Sequence, residues 1–129
     1  MTPLGMRMRE LRHERGVRQR DMAKALGVTP AYLSALEHGR RGRPSWQMVQ
    51  KIIGYFNVIW DEADEIERLA ALSDPRVVID TSGLSPKATE LANLLAADIA
   101  NLEGEELERL EMLLQQLRRE REERLRKER

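Results

Sequence analysis

The feature that most constrains the fold is residues 19–37, QRDMAKALGVTPAYLSALE, where two short helical patterns flank a glycine. Apolar residues recur at helical spacing before and after that glycine, which predicts two amphipathic helices meeting at an angle. Gly27 suits the sharp turn between them because glycine adopts a left-handed backbone at little steric cost. Thr29 and Pro30 then start the next helix, as its cap and its first residue. The pattern indicates a helix-turn-helix.

This stretch resembles the helix-turn-helix of the Cro and lambda-repressor-like (XRE) family of bacterial and phage regulators. The residues that carry the resemblance are Gln19, Met22-Ala23, Leu26-Gly27-Val28, Leu33-Ser34 and Leu36-Glu37-His38-Gly39. It extends from about Leu4 to Phe56, fewer than half of the residues. The resemblance implies an all-α, five-helix DNA-binding domain in which the helix that begins at Thr29 is the recognition helix.

Charge is distributed unevenly although the chain is neutral overall. Residues 1–56 contain eleven Arg and Lys against four Asp and Glu, whereas residues 57–129 contain eleven against eighteen. A basic half attracts nucleic-acid phosphates, and an acidic half is repelled by them. The alternative is that these charges only solvate helix surfaces. Because the sign changes at the end of the motif region, the sequence favours the first interpretation.

Composition excludes several other functions. With 129 residues, the chain can form one modest core and a separate assembly element. It has no cysteine and only two dispersed histidines, so we expect no disulfide, metal site or cofactor. No nucleophile and base pair or phosphate-binding glycine loop can be assembled, so an enzyme is not expected. No apolar run could span a membrane, which predicts a cytoplasmic protein, nucleoid-associated when bound to DNA.

A first helix is predicted from Pro3 to Glu14, ending near Gly16, where it would brace the helix-turn-helix. The family resemblance adds a structural ion pair between Arg12 and Glu37. Such a pair would tie the first helix to the end of the recognition helix.

The recognition helix is predicted from Thr29 to about His38, with Leu33 and Leu36 facing the core. The residues left to face bases are Thr29, Pro30, Ala31, Tyr32, Ser34 and Ala35.

The resemblance assigns the base-edge positions to Pro30, Ala31 and Ala35. These side chains donate no hydrogen bond but can contact thymine methyl groups. Direct readout would then fall to Thr29 and Ser34, supplemented by DNA shape. Tyr32 has two interpretations, a base contact or a phosphate contact through its hydroxyl.

Phosphate contacts are expected from the start of the second helix and from the loop HGRRGRPS. The candidate residues are Arg18, Gln19, Arg20, Arg40, Arg41 and Arg43. The role of Gln19 comes from the resemblance, and its alternative is a helix cap or a solvated side chain. The alternative for the arginine loop is simple solvation.

Two further helices complete the predicted domain. Ser45 caps the fourth, which carries a core stripe ending at Phe56, with Trp46 packed at its edge. The fifth is predicted over 59–73, with Trp60 and Leu72 as candidates for its packed face. Its acidic outer face is interpreted as solvated or DNA-avoiding rather than as a metal or catalytic site.

The predicted domains are a helix-turn-helix domain over 1–73, a linker over 74–84, a helical dimerisation region over 85–117 and a charged tail over 118–129 that is prone to fray. Within the linker, residues 77–79 either form a short strand with a second copy or lie against the helical core.

The dimerisation region is predicted from an apolar stripe that continues past a break near Gly104. The residues assigned to it are Leu91, Leu95, Ile99, Leu102, Leu107, Leu110, Leu114 and Leu117. The alternative is that these helices fold back on their own domain.

The sequence therefore predicts a sequence-specific, double-stranded DNA-binding transcriptional regulator, a repressor that acts as a homodimer on a palindromic operator. The alternative is an antitoxin-like or anti-repressor-controlled protein whose C-terminal region binds a protein partner. A third interpretation is an interaction module that has lost DNA binding.

Overall fold

The computed structural model describes all 129 residues, and its only regular elements are helices. The helices are α1 (Pro3–Arg15), α2 (Gln19–Leu26), α3 (Pro30–Glu37), α4 (Trp46–Phe56), α5 (Asp61–Ala71), α6 (Pro86–Asp98), a 3-10 turn (Ile99–Asn101) and α7 (Gly104–Lys127). They form two compact units, residues 1–78 and 79–129. The predicted all-α class is confirmed.

Local capping explains where the first helices begin and end. The hydroxyl of Thr2 accepts a hydrogen bond from the Gly5 amide at 3.0 Å, which starts α1. Gly16 and Gly27 end α1 and α2 in the left-handed region, with φ of 63° and 76°. Ser45 caps α4 through the Met48 amide at 3.1 Å. These signals are local, which is why the sequence predicts these boundaries within a residue or two.

The core of the first unit holds α3 in place from two sides. Helix α1 packs on α3 and α5, while α2 packs on α3 and α4, and α4 packs on α5. The buried apolar residues are Leu4, Met8, Leu11, Met22, Ala23, Leu26, Leu33, Leu36, Val49, Ile52, Phe56, Val58, Ile66 and Ala70. Every helix of this unit contributes to one core, so α3 is anchored by the whole unit.

Helix α5 is shorter than the predicted range of 59–73. Trp60 has φ 54° and ψ −124°, which no helical residue adopts, so α5 begins only at Asp61. At the other end, Ser73 lies outside the helix, and its hydroxyl accepts a hydrogen bond from the Leu4 amide at 3.0 Å. Trp60 is 81% exposed and Leu72 61% exposed. The expectation that these two side chains pack on the core is therefore wrong.

The linker residues 77–79 form no strand within the chain. Val77, Val78 and Ile79 are 74%, 90% and 57% exposed. The expectation that they lie against the helical core is wrong, because these side chains remain largely in solvent.

The second unit contains α6 and α7 separated by a break. Ser85 caps α6 through the Ala88 amide at 3.3 Å. The backbone is extended at Leu102, and α7 then begins at Gly104, where the sequence predicts a break. Helix α7 continues through residues 118–127, for which the sequence predicts fraying. No residue of α6 or α7 is buried, and every leucine of these helices except the half-buried Leu95 is exposed.

None of the helices combines the length and apolar content that crossing a membrane requires.

Candidate DNA-binding surface

The corner between α2 and α3 is fixed by backbone geometry. The left-handed Gly27 redirects the chain, and the Val28 amide donates to the Ala23 carbonyl at 2.9 Å. The Thr29 hydroxyl then accepts the Tyr32 amide at 3.0 Å and caps α3. The first turn of α3 is therefore held at a set angle to α2.

Helix α3 has one buried side and one accessible side. Leu33, Leu36 and Glu37 are buried against the rest of the unit. The six residues assigned to bases divide into two groups: Thr29, Pro30 and Ala31 are exposed, while Tyr32, Ser34 and Ala35 are half-buried. All six thus keep surface at which a duplex could be contacted.

A buried ion pair lies between α1 and the end of α3. Arg12 donates from both terminal guanidinium nitrogens to the two carboxylate oxygens of Glu37, and the second contact measures 3.2 Å. Arg12 is 7% exposed and Glu37 1% exposed. Because both charges are removed from water, each depends on the other, and the pair links α1 to the end of α3.

Gln19, the first residue of α2, is held by the same carboxylate. Its side-chain amide nitrogen donates to Glu37 Oε1 at 3.3 Å. Gln19 is half-buried, so it is not a freely solvated side chain. The carboxylate of Glu37 therefore joins the first three helices, and the exposed part of Gln19 is left at the start of α2.

Arg18 and Arg20 flank Gln19 and are both exposed. Arg18 is paired with Asp21 at 2.9 Å between Nε and Oδ2. The hydrogen bond from the Arg18 side chain lowers the pKa of the Asp21 carboxyl below its usual value. A phosphate approaching Arg18 must compete with Asp21, whereas Arg20 forms no salt bridge within the chain.

The loop after α3 presents three arginines. Arg40, Arg41 and Arg43 are exposed, and none of them forms an ion pair within the chain. The Arg41 guanidinium carbon lies 4.9 Å from the centre of the Tyr32 ring, a cation–π contact. This contact joins the arginine loop to the accessible side of α3. The three cations are available for phosphate oxygens.

Trp46 is a surface feature that sequence reasoning missed. The sequence predicts an aromatic packed at the edge of α4, but the side chain is 71% exposed and this expectation is wrong. It begins α4 immediately after the arginine loop and lines a groove of about 340 Å³. The groove is lined by Arg43, Pro44, Trp46, Val49, Glu67 and Ala70. As the first helical residue, Trp46 has few helix neighbours to cover it.

The acidic outer face of α5 does not form a metal centre. No group of three or more histidine or carboxylate side chains is close enough to hold a metal ion. Two of its carboxylates have protein partners: Glu65 pairs with Arg7 at 3.1 Å, and Glu67 accepts from Gln50 at 3.1 Å.

Known proteins match the part of the chain that carries this surface. Residues 3–69, more than half of the chain, match the model of a family described as a helix-turn-helix domain. The HTH-type transcriptional regulator SinR of Bacillus subtilis is 32% identical over 92 residues, which cover 65% of this chain and 83% of SinR. SinR of Bacillus licheniformis is 31% identical over 68 residues, covering 50% of this chain and 61% of that protein.

A further relative, the HTH-type transcriptional regulator DdrOP3 of Deinococcus deserti, is 42% identical over 52 residues, but the match spans only 40% of either protein. No solved structure matches the chain significantly. All of these relatives are named as transcriptional regulators and none as an enzyme. With its α2 and α3 corner, its buried pair behind α3 and the family match, the chain belongs to the XRE-type helix-turn-helix family.

Proposed function

We propose that this protein is a sequence-specific, double-stranded DNA-binding transcriptional regulator, a repressor that binds a palindromic operator as a homodimer. The observation that carries the proposal is the accessible side of α3, bordered by the unpaired arginines Arg40, Arg41 and Arg43. Base-facing residues and phosphate-binding cations would thus be adjacent on one surface of a compact unit.

Recognition would depend on few direct hydrogen bonds. Pro30, Ala31 and Ala35 offer only apolar contacts, which suit thymine methyl groups. Thr29 uses its oxygen as the acceptor in the α3 cap, but its hydroxyl proton remains free to donate to a base or phosphate. Ser34 supplies the second hydroxyl. We therefore expect an operator with thymine preference at a few positions and with sequence-dependent DNA shape contributing the rest.

Phosphate binding would supply most of the affinity. Gln19 and Arg20 lie at the start of α2, and Arg40, Arg41 and Arg43 lie in the loop after α3. Each phosphate neutralised releases counterions, so binding should weaken steeply with salt. Arg18 would contribute only when it exchanges Asp21 for a phosphate.

A homodimer is supported by the exposed leucines of the second unit. Leu91 is 63% exposed and Leu114 54% exposed, and no residue of α6 or α7 is buried. Burying such a face against a second copy would remove apolar surface from water. A two-fold dimer would present two α3 helices to major grooves about 34–36 Å apart. Repression would follow when the bound dimer occludes a promoter.

The same exposed leucines favour a second candidate, in which a different protein binds the C-terminal region and controls DNA binding. The two candidates differ in the composition of the purified complex. Homodimerisation predicts one polypeptide at twice the chain mass, whereas the second candidate predicts a copurifying protein in fixed ratio.

The test of DNA recognition is an in vitro selection of bound duplexes from a random library at near-physiological salt. We expect a two-fold symmetric motif. The Arg40→Ala/Arg41→Ala variant should bind the same motif more weakly, with a salt dependence reduced by roughly one unit per lost phosphate contact. The matched control is Arg119→Ala/Arg126→Ala, which removes the same charge from exposed positions of α7 in the other unit. A library without any enriched motif would contradict sequence-specific binding.

Repression needs a separate measurement, because binding alone does not define its direction. Transcription in vitro from a promoter that overlaps the selected motif should fall as protein is added. A rise in transcript would replace the repressor assignment with an activator.

A further inference from the structure

Helix α7 carries a symmetric pattern of residues along one side. From Glu103, the residue before the helix, steps of 4, 3, 4, 3 and 4 reach Leu107, Leu110, Leu114, Leu117 and Arg121. These six residues are called the seam here. The four leucines are 41%, 46%, 54% and 51% exposed, so they form a continuous uncovered face. The step order reads the same in both directions, with an acid at one end and a base at the other.

Charge along α7 has the same polarity as the seam. Residues 104–111 contain four glutamates and one arginine, whereas residues 118–127 contain six Arg and Lys and three glutamates. Residues 112–117, between them, are uncharged. The helix thus has an acidic first part, a neutral middle and a basic last part.

We propose that two copies of this chain pair through α7 in an antiparallel orientation. In this arrangement Leu107 lies level with Leu117 of the second copy, and Leu110 with Leu114. Glu103 lies level with Arg121 at both ends. Leucines therefore meet leucines along the middle of the seam, and each end is closed by opposite charges.

A parallel pairing would bury the same leucines but align like charges. Glu103 would face Glu103, and Arg121 would face Arg121 across the seam. The acidic and basic parts of the helix would also lie beside their own copies, which is unfavourable at low ionic strength. The charges therefore favour the antiparallel orientation. In that orientation a second copy of the chain gives every residue of the seam a partner.

The proposal rests on the homodimer proposed above and adds its orientation. Both can be tested separately because the chain has no cysteine, so introduced thiols are the only ones present. Leu107→Cys and Leu117→Cys place thiols ten residues apart, about 15 Å along the helix. A disulfide requires Cα atoms within about 7 Å, so each cross-link reports one orientation.

The experiment uses full-length chains, one variant carrying a size tag, in mild oxidant. Antiparallel pairing predicts that neither cysteine variant forms a disulfide dimer alone, while the coexpressed pair forms the mixed dimer. Disulfide dimers of each cysteine variant with itself would overturn the antiparallel orientation but leave the homodimer standing. A wild-type protein that is dimeric while the coexpressed cysteine variants form no cross-link would have the same meaning. A monomer in sedimentation equilibrium would overturn both.

A charge reversal provides a second measurement that does not depend on thiol geometry. Arg121→Glu should raise the dissociation constant of the dimer roughly tenfold at low salt, because two attractive pairs become repulsive. Arg119→Glu makes the same charge change off the seam and should raise it far less. A parallel dimer would respond weakly to Arg121→Glu, since one pair of like charges would replace another, and that result would overturn the proposal.

Discussion

A Cβ atom on Gly5 would overlap the backbone carbonyl oxygen of Glu37, because α1 and α3 pack closely where these residues meet. The same carbonyl accepts the Thr2 amide at 3.0 Å and the Thr2 hydroxyl at 3.2 Å. The Glu37 carbonyl thus fastens the start of α1 to the last turn of α3, the helix that also carries the Glu37 partner of Arg12.

The Gly5→Ala variant should therefore be less stable. The obstructing atom belongs to the backbone, so relief requires the helices to separate, at a cost of roughly 1–3 kcal/mol in the free energy of unfolding. Urea unfolding followed by circular dichroism measures this loss of stability. The matched control is Gly54→Ala in α4, where an added Cβ meets nothing within 4 Å. That control should be neutral or stabilising by up to about 1 kcal/mol, and equal losses in both variants would contradict the close helix contact.

Removing one partner of the buried ion pair should destabilise the first unit strongly. Arg12→Ala leaves the Glu37 carboxylate buried with only Gln19 as a side-chain donor, and we expect a loss of about 3–5 kcal/mol. The double variant Arg12→Met/Glu37→Leu should lose less, because no uncompensated charge remains. Thermal unfolding compares the two, and DNA binding is interpreted only for variants that remain folded. A double variant as unstable as Arg12→Ala would argue that packing, and not charge, causes the loss.

Asp21→Asn should increase affinity for DNA. The substitution removes a negative charge beside the phosphate surface and frees Arg18, so nonspecific binding at low salt should tighten a few-fold. Fluorescence anisotropy with a random duplex measures this. Asp80→Asn is the control, since Asp80 is exposed in the other unit and its pKa is also lowered, by hydrogen bonds from Ser82. An equal gain from both variants would show a general charge effect.

The pH dependence of the Arg18 and Asp21 pair follows from the lowered pKa of Asp21. A carboxyl whose pKa is lower in the folded state stabilises that state at pH values above its unfolded pKa of 3.8. This stabilisation is lost as the pH falls through the folded pKa. The competition between Asp21 and phosphate therefore persists across the neutral range. The affinity advantage of Asp21→Asn should stay constant from pH 6 to 8.

Substitutions at Tyr32 should separate its ring from its hydroxyl. Tyr32→Phe keeps an aromatic surface for Arg41, whereas Tyr32→Leu removes it. If the ring positions Arg41, only the leucine variant should lose affinity, by roughly two- to fivefold, as expected for about 0.5–1 kcal/mol. Titration of the selected operator measures both. Equal losses would instead assign the role of Tyr32 to its hydroxyl.

Much of the first unit could be predicted because its signals are local. Gly27 and the Thr29 cap define the α2 and α3 corner within a few residues, and the apolar spacing of Leu33 and Leu36 identifies the inner side of α3. The ion pair between Arg18 and Asp21, which are three residues apart, is also local, although the sequence analysis did not predict it.

Other features depend on contacts between distant residues and left no local signal. The tight approach of Gly5 to Glu37 involves residues 32 positions apart and requires a known crossing of helices. Trp46 and Trp60 satisfy the apolar pattern of a packed helix, yet both lie at a helix start where few neighbouring residues cover them. Apolar spacing identifies a side of a helix but not whether the rest of the chain reaches it.

The division of α3 into two sides has an evolutionary consequence. The residues that hold the helix in the fold, Leu33, Leu36 and Glu37, are buried, while Ala31, Ser34 and Ala35 retain accessible surface. Exchanging the second group changes what the surface can read without opening a cavity or exposing a buried charge. Relatives of this chain could therefore present a different surface to DNA after a few substitutions on the accessible side of α3, while the buried residues that hold the helix stay the same.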